Sequence, residues 1–267
     1  MNDNPKISVV MAAYNEEKYL RKAIESILNQ TFSDFEFIII NDGSTDTTSK
    51  IIKEYISRDS RIKTKDTGNS GLTRAKNIAL EMAKGDLIAM MDADDISLPD
   101  RLEKQRRFLE YNQDVGLLGS GYYRIDEQGN ILYEHNPVTG SKEIHKNLIK
   151  RNIFCHSTIV VRRGVFDKVG FYNENWRTSQ DYEFYFRVTK DFKLANLKIP
   201  LVCWRLSKTS ISFTRQKDQL KDALRAQLNA MRERQYPFYS YLFLIRPALK
   251  LMFYNLADNQ KDFSSPR

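Results

Sequence analysis

The chain has 267 residues, 41% of them apolar, 12% aromatic and 28% charged. That is apolar enough for a folded core, excludes a disordered or collagen-like chain, and suits one α/β domain with an appendage. Net charge is +8, half of the excess lying beyond residue 215, so an anionic partner is expected: a phosphorylated substrate, nucleic acid or anionic lipid.

In chain order, 7–11 predicts a strand. Asn15 is placed to cap a helix in which Leu20, Ala23, Ile24, Ile27 and Leu28 recur at helical spacing. Residues 35–40 are apolar at nearly every position, as a strand buried on both faces is. Asp42-Gly43-Ser44 turns into a second helix with Ile51, Ile52, Tyr55 and Ile56 inward. A weak strand at 61–65, a helix at 72–84 ended by Gly85, and a strand at 86–91 follow. That last strand stops at Asp92-Ala93-Asp94-Asp95. The alternation predicts a parallel, doubly wound sheet, whose ligands sit beyond the C-terminal strand ends. Further on, Ser97 and Pro99 open a helix to about Asn112, and 115–124 with 131–133 reads as a hairpin. Ser141 caps a short helix, 157–162 is a strand, 179–190 a helix, 201–205 a final strand, and 217–234 a charged helix.

The acidic tip at 92–94 is the sharpest feature. In an extended segment Asp92 and Asp94 point the same way, and carboxylates so crowded call for a cation. Oxygen-only ligands suit Mg²⁺ or Mn²⁺ bridging to substrate phosphates. Asp42 could meet a base or ribose, or only cap a helix. Tyr14 could stack on a nucleobase, with the small Ala12 and Ala13 leaving room for a flat ligand. Arg74, one turn into its helix, could face phosphate; alone it reads as a solvated charge. Asp181, from its spacing, reads as an acid in a helix first turn. His156 sits between Cys155 and Ser157, where strand neighbours point apart, so a structural role is preferred for it and for Cys203. Two cysteines exclude a disulfide framework and a four-cysteine metal site, and suggest a reduced compartment. No G-x-G-x-x-G or Walker lysine loop follows the first strand, against NAD binding or ATP hydrolysis.

Taken together, Val9-Val10-Met11-Ala12-Ala13-Tyr14-Asn15, Asn41-Asp42-Gly43-Ser44-Thr45-Asp46, Asn69-Ser70-Gly71-Leu72-Thr73-Arg74-Ala75-Lys76-Asn77 and Asp92-Ala93-Asp94-Asp95 are similar in order and spacing to the family 2 inverting glycosyltransferases of GT-A fold. Ser179-Gln180-Asp181-Tyr182-Glu183-Phe184 resembles that family's acid-bearing helix, and Trp204-Arg205 with Ser210-Ile211-Ser212 its late Arg/Ser segment. The resemblance covers about 5–213. It implies an α/β GT-A fold, a mostly parallel sheet with helices on both faces, and transfer of one sugar from a nucleotide-diphospho-sugar, a UDP-sugar by preference, to a saccharide or lipid-linked saccharide. Tyr14 and Asp42 would hold the base, Ala12, Ala93 and Asp92 the nucleotide sugar, and Arg74 the nucleotide or phosphates. Asp94 would bind the divalent metal, Mn²⁺ or Mg²⁺, and Asp181 would be the catalytic base. Asn41 and Gln180 depart from the acids common at those positions, and the Gln-x-x-Arg-Trp signature of processive members is absent.

The implied organisation is a catalytic domain at 1–215, with a nucleotide half at 1–100 and an acceptor half at 101–215, then a basic, aromatic helical extension at 216–267. Residues 236–254 mix Tyr and Phe with Arg246 and Lys250, as an interfacial segment does; packing on the domain or on a dimer partner would look similar. No secretory pattern opens the chain and no apolar run nears the ~20 residues of a membrane span. The expected place is the cytoplasm, free or peripheral at the inner face of its membrane. A non-catalytic nucleotide-sugar binding module and a metal-dependent nucleic-acid-acting protein are the competing readings; nucleic acid is not the expected partner, because acids at 92–95 repel a phosphate backbone unless metal is bound.

Overall fold

The computed structural model describes residues 4–207 and 211–263, the side chains of 211–212 and 255–263 excepted. The first half alternates as the apolar pattern dictates: β1 (Ile7–Ala13), α1 (Leu20–Leu28), β2 (Phe35–Asn41), α2 (Thr48–Ile56), β3 (Ile62–Asp66), α3 (Leu72–Met82) and β4 (Leu87–Met90). Then come β5 (Ile96–Ser97), α4 (Arg101–Tyr111), β6 (Val115–Ile125), β7 (Ile131–His135), α5 (Ser141–Leu148), β8 (Val160–Arg162), α6 (Arg163–Val169), α7 (Gln180–Val188) and β9 (Lys193–Arg205). The chain continues through α8 (Ile211–Thr214), α9 (Gln216–Arg232) and α10 (Leu242–Phe263).

Among the described residues the strands form one sheet in the order β3-β2-β1-β4-β8-β6-β9-β5, with β7 paired to β6. The four leading strands are parallel; β8 joins β4 and β6 antiparallel, while β6 and β9 run parallel. Side chains alternate across the sheet, so each strand feeds two cores. Val9, Met11, Phe37, Ile39 and Ala89 meet α1, α2 and α4; Val10, Ala12, Ile38, Ile40 and Met90 meet α3 and the later helices.

Several local expectations are corrected. Asn15 does not cap α1, which begins at Leu20; it adopts φ 55° and accepts from the Thr45 amide (2.8 Å), tying the tip of β1 to the turn after β2. Ser97 does not open α4. Ile96 and Ser97 pair with Cys203 and Val202 of β9, which delays the helix to Arg101. Gly140, at φ 80°, precedes α5 in place of a Ser141 cap. His156–Thr158 forms a 3-10 turn, so the strand expected from 157 starts at Val160. The last strand begins at Lys193, and its pairing with β6 slips near Pro200, which lacks an amide donor.

Candidate active site

Parallel pairing sets the site. Ala13 lies opposite Asn41 and Val10 opposite Met90, so β1, β2 and β4 release Tyr14, Asp42 and Asp92 at one sheet edge. Tyr14 is 45% exposed there, beside the buried Ala12. Asp92 to Asp95 forms a turn, the Asp95 amide facing the Asp92 carbonyl at 3.4 Å, so the strand alternation expected for Asp92 and Asp94 does not apply. Ala93 is buried.

The acids have divided roles. Asp92 accepts from Lys76 Nζ (3.0 Å), and His156 Nδ1 lies 3.4 Å away; Lys76 is 3% exposed. Burial would raise the Asp92 carboxyl, but the Lys76 and His156 side chains hold it well below the usual carboxylate range. His156 Nε2 is 3.1 Å from the Tyr172 hydroxyl, so the His156 ring stands between the acid turn and Tyr172. Asp95 is fully inward: it accepts from Ser157 Oγ (2.5 Å) and the Arg205 amide (2.8 Å), while Arg205 Nε donates to the Asp94 carbonyl (2.7 Å). Arg205 thus braces the turn from behind. Of the Arg/Ser segment's later residues, Ser210 lies outside the described residues, as does the side chain of Ser212.

Asp94 is pushed up to about 6 by burial and then by the charge of Asp92. Glu16, which the sequence reading missed, is pushed up to about 8 by burial and then by Asp94, Asp92 and Asp46. Both sit above the ordinary carboxyl range of about 4, so ionising them costs stability as pH rises from about 4 through these values. A bound cation would remove that cost. Among the described residues no three His, Cys, Asp or Glu side chains converge as a complete metal cage. The turn instead offers hard carboxylate oxygens, Asp94 with Glu16 nearby, a donor chemistry that would suit Mg²⁺ or Mn²⁺.

Asp42 is not idle. Its carboxylate accepts from Thr67 Oγ1 (2.6 Å), the Ser70 amide (2.6 Å), Ser70 Oγ (2.8 Å) and the Gly71 amide (2.8 Å). Burial works against ionisation, but these donors keep the group below its ordinary range. Gly43, at φ 75°, allows the close approach: a Cβ there would stand 2.5 Å from the Asn69 amide nitrogen. Arg74 is exposed and pairs with Glu174 (3.0 Å). Lys76 shares the inward face of α3 with Ala79 and Leu80, and a lysine at an apolar-face position was the signal available for it.

Asp181 stands in the first turn of α7, where Asn152 Nδ2 donates to its Oδ2 (3.0 Å). The buried Tyr172 hydroxyl is raised by burial and then by the charges of Asp181 and Asp92. A cavity of about 540 Å³ lined by Ser141, Lys142, His145, Lys190 and Phe192 includes none of these residues.

Known proteins resemble this chain in sequence and in fold. The model of glycosyl transferase family 2 fits residues 8–170. An uncharacterized glycosyltransferase of Methanocaldococcus jannaschii is 43% identical over 222 residues, covering 81% of this chain and 76% of its own. The O-antigen biosynthesis glycosyltransferase WbnJ of Escherichia coli is 38% identical over 186 residues, 69% of this chain and 72% of its own. Among solved structures, the mannosyltransferase PcManGT of Pyrobaculum calidifontis, in complex with GDP-Man and Mn²⁺, superposes with TM-score 0.69 at 14% identity, covering 100% of this chain and 77% of that one. TarS 1–349 of S. aureus, in complex with UDP-GlcNAc, gives TM-score 0.69 at 18% identity, and this chain spans 66% of it while 84% of this chain is covered. With its sheet, its acid turn and these relatives, the chain belongs to glycosyl transferase family 2 and is a glycosyltransferase of GT-A fold.

Proposed function

We propose that the chain transfers one sugar from a nucleotide-diphospho-sugar, a UDP-sugar by preference, to an acceptor hydroxyl with inversion, in glycan biosynthesis. The observation that carries this is the acid turn at the C-terminal strand edge, backed by Lys76 and His156. Residues 1–100 are assigned to the donor and 101–215 to the acceptor. Tyr14 lies against the base and Asp42 binds its edge, Ala12 and Ala13 are small enough to leave a flat ligand room, and Ala12 and Ala93 line the nucleotide sugar. Asp92 meets the nucleotide sugar, and Arg74 meets phosphate by exchanging one anion, Glu174, for another. Asp94 would hold the cation, with Glu16 beside it; a divalent cation there supplies charge to offset the departing diphosphate. The acceptor oxygen attacks the anomeric carbon from the face opposite the diphosphate, and Asp181 takes its proton. The carbon–oxygen bond to diphosphate breaks as the new one forms, so the anomeric centre inverts and no enzyme nucleophile is needed. Proton NMR of the first product from UDP-glucose, UDP-GlcNAc or GDP-mannose with Mn²⁺ tests this: the inverted anomer is expected, and the retained one contradicts it.

We assign 236–254 to the inner face of a membrane, where a lipid-linked saccharide would be met. No helix among the described residues is long and apolar enough to cross a bilayer. Phe238, Tyr239, Leu242, Ile245, Leu249, Met252 and Phe253 are nevertheless exposed, with Phe238 at 85%. Arg246 and Lys250 interrupt them, and no acidic residue falls between 234 and 257. Replacing Phe238, Leu242, Ile245 and Phe253 by Ser is expected to abolish co-sedimentation with phosphatidylglycerol vesicles. Undiminished sedimentation would contradict the membrane assignment, and a drop in apparent mass from dimer to monomer without vesicles would assign the face to self-association.

A further inference from the structure

The segment that delivers Asp181 is held by α9, beyond the part of the chain that the family model matches. Thr178 donates to Asp222 Oδ2 twice, from its amide (3.2 Å) and its hydroxyl (2.5 Å). Ser179 Oγ donates to the Gln219 carbonyl (3.2 Å), and the Arg225 guanidinium lies 4.5 Å from the centre of the Trp176 ring. Ser179 itself adopts φ 52°, ψ 23°, a left-handed conformation that a residue with a Cβ keeps only where its surroundings impose it. Two residues later comes Asp181.

The same helix also holds the segment that carries the partner of that carboxylate. Gln227 Nε2 donates to the Ile149 carbonyl (2.8 Å), three residues before the Asn152 that donates to Asp181. The Tyr182 hydroxyl donates to the Leu148 carbonyl, closing the same corner. On the donor side, Thr73 Oγ1 of α3 donates to the Trp176 carbonyl (3.0 Å), so the 172–179 segment is pinned between the donor-side helix and α9.

We infer that Asp222 is a positioning residue for Asp181: by accepting both Thr178 donors it fixes the left-handed turn at Ser179 and thereby the aim of the base. This rests on the proposed role of Asp181. A general base acts only within hydrogen-bond reach of the proton it takes, and small misplacements of such a group lower the rate steeply. Asp222 touches neither donor nor acceptor in this reading, so its loss acts on turnover and leaves donor binding alone.

The test compares Asp222→Ala with Asp222→Asn in the full chain. The asparagine oxygen still accepts both Thr178 donors; alanine accepts neither. With a sugar nucleotide that the wild type turns over, water or p-nitrophenyl glycosides as acceptors, and Mn²⁺, Asp222→Ala is expected to lower kcat by about tenfold to a hundredfold with the donor KM unchanged. Asp222→Asn is expected to stay close to wild type. Hydrogen–deuterium exchange, which needs no turnover, should rise at 178–182 in Asp222→Ala and not in α3 or β4. Wild-type kcat in Asp222→Ala, equal losses in both variants, or unchanged exchange at 178–182 would each overturn the inference. A wild type that transfers no sugar would instead overturn the function proposed above, and the exchange data would still decide whether Asp222 holds the turn.

Discussion

Asp181→Asn is expected to lower kcat by about a thousandfold, the usual scale for removing a general base, while the donor KM and the melting temperature stay put. The asparagine is isosteric and its oxygen can still accept from Asn152, so the first turn of α7 keeps its shape. What is lost is a group able to take the acceptor's proton. In the proposed mechanism the acceptor oxygen attacks only as its proton leaves, so binding of the sugar nucleotide would not report the change. Steady-state rates against donor concentration, with melting curves alongside, check this; more than a tenth of wild-type kcat would remove Asp181 from the chemistry.

Lys76→Met is expected to cost on the order of 2–4 kcal/mol at neutral pH, toward the lower end of what breaking a buried pair costs because Asp92 retains partial exposure. Methionine fits the inward face of α3, so packing changes little, but Asp92 is left with His156 alone. The sign with pH follows from the direction of the Asp92 shift. Its carboxyl is held below the usual range, so its contribution is present above about pH 4 and is lost as pH falls through the lower folded value. The gap between variant and wild type should therefore be widest near neutrality and narrow in acid. Urea unfolding at several pH values measures it, and equal stability at neutral pH would show that Lys76 is not the counter-charge of the acid turn.

The strand ends of this site were legible because an apolar run followed by a polar residue is the signature of a strand leaving a parallel sheet. Tyr14, Asp42 and Asp92 all follow such runs. The partners of these residues were not legible in the same way. Lys76 and His156 are 80 positions apart in the chain yet 3.2 Å apart in space, and periodicity carries no information about such pairs. Asp42 reads locally as a turn residue, and only the return of 67–71 beside Gly43 shows what occupies its oxygens. The alternation argument for Asp92 and Asp94 failed because β4 ends at Met90 and the acids sit in a turn that β5 and Arg205 draw toward β9. Glu16 was overlooked beside Asn15 because the charges acting on it, Asp94, Asp92 and Asp46, lie far from it in sequence.

We propose that the turn at 92–94 binds a nucleoside diphosphate through a divalent cation. Calorimetric titration of UDP into the protein at about pH 8, with and without Mn²⁺, tests it most directly when repeated on Asp94→Asn. The predicted result is saturable binding that requires Mn²⁺ in the wild type and disappears in the variant. UDP binding of equal strength without Mn²⁺, or undiminished in Asp94→Asn, would contradict it.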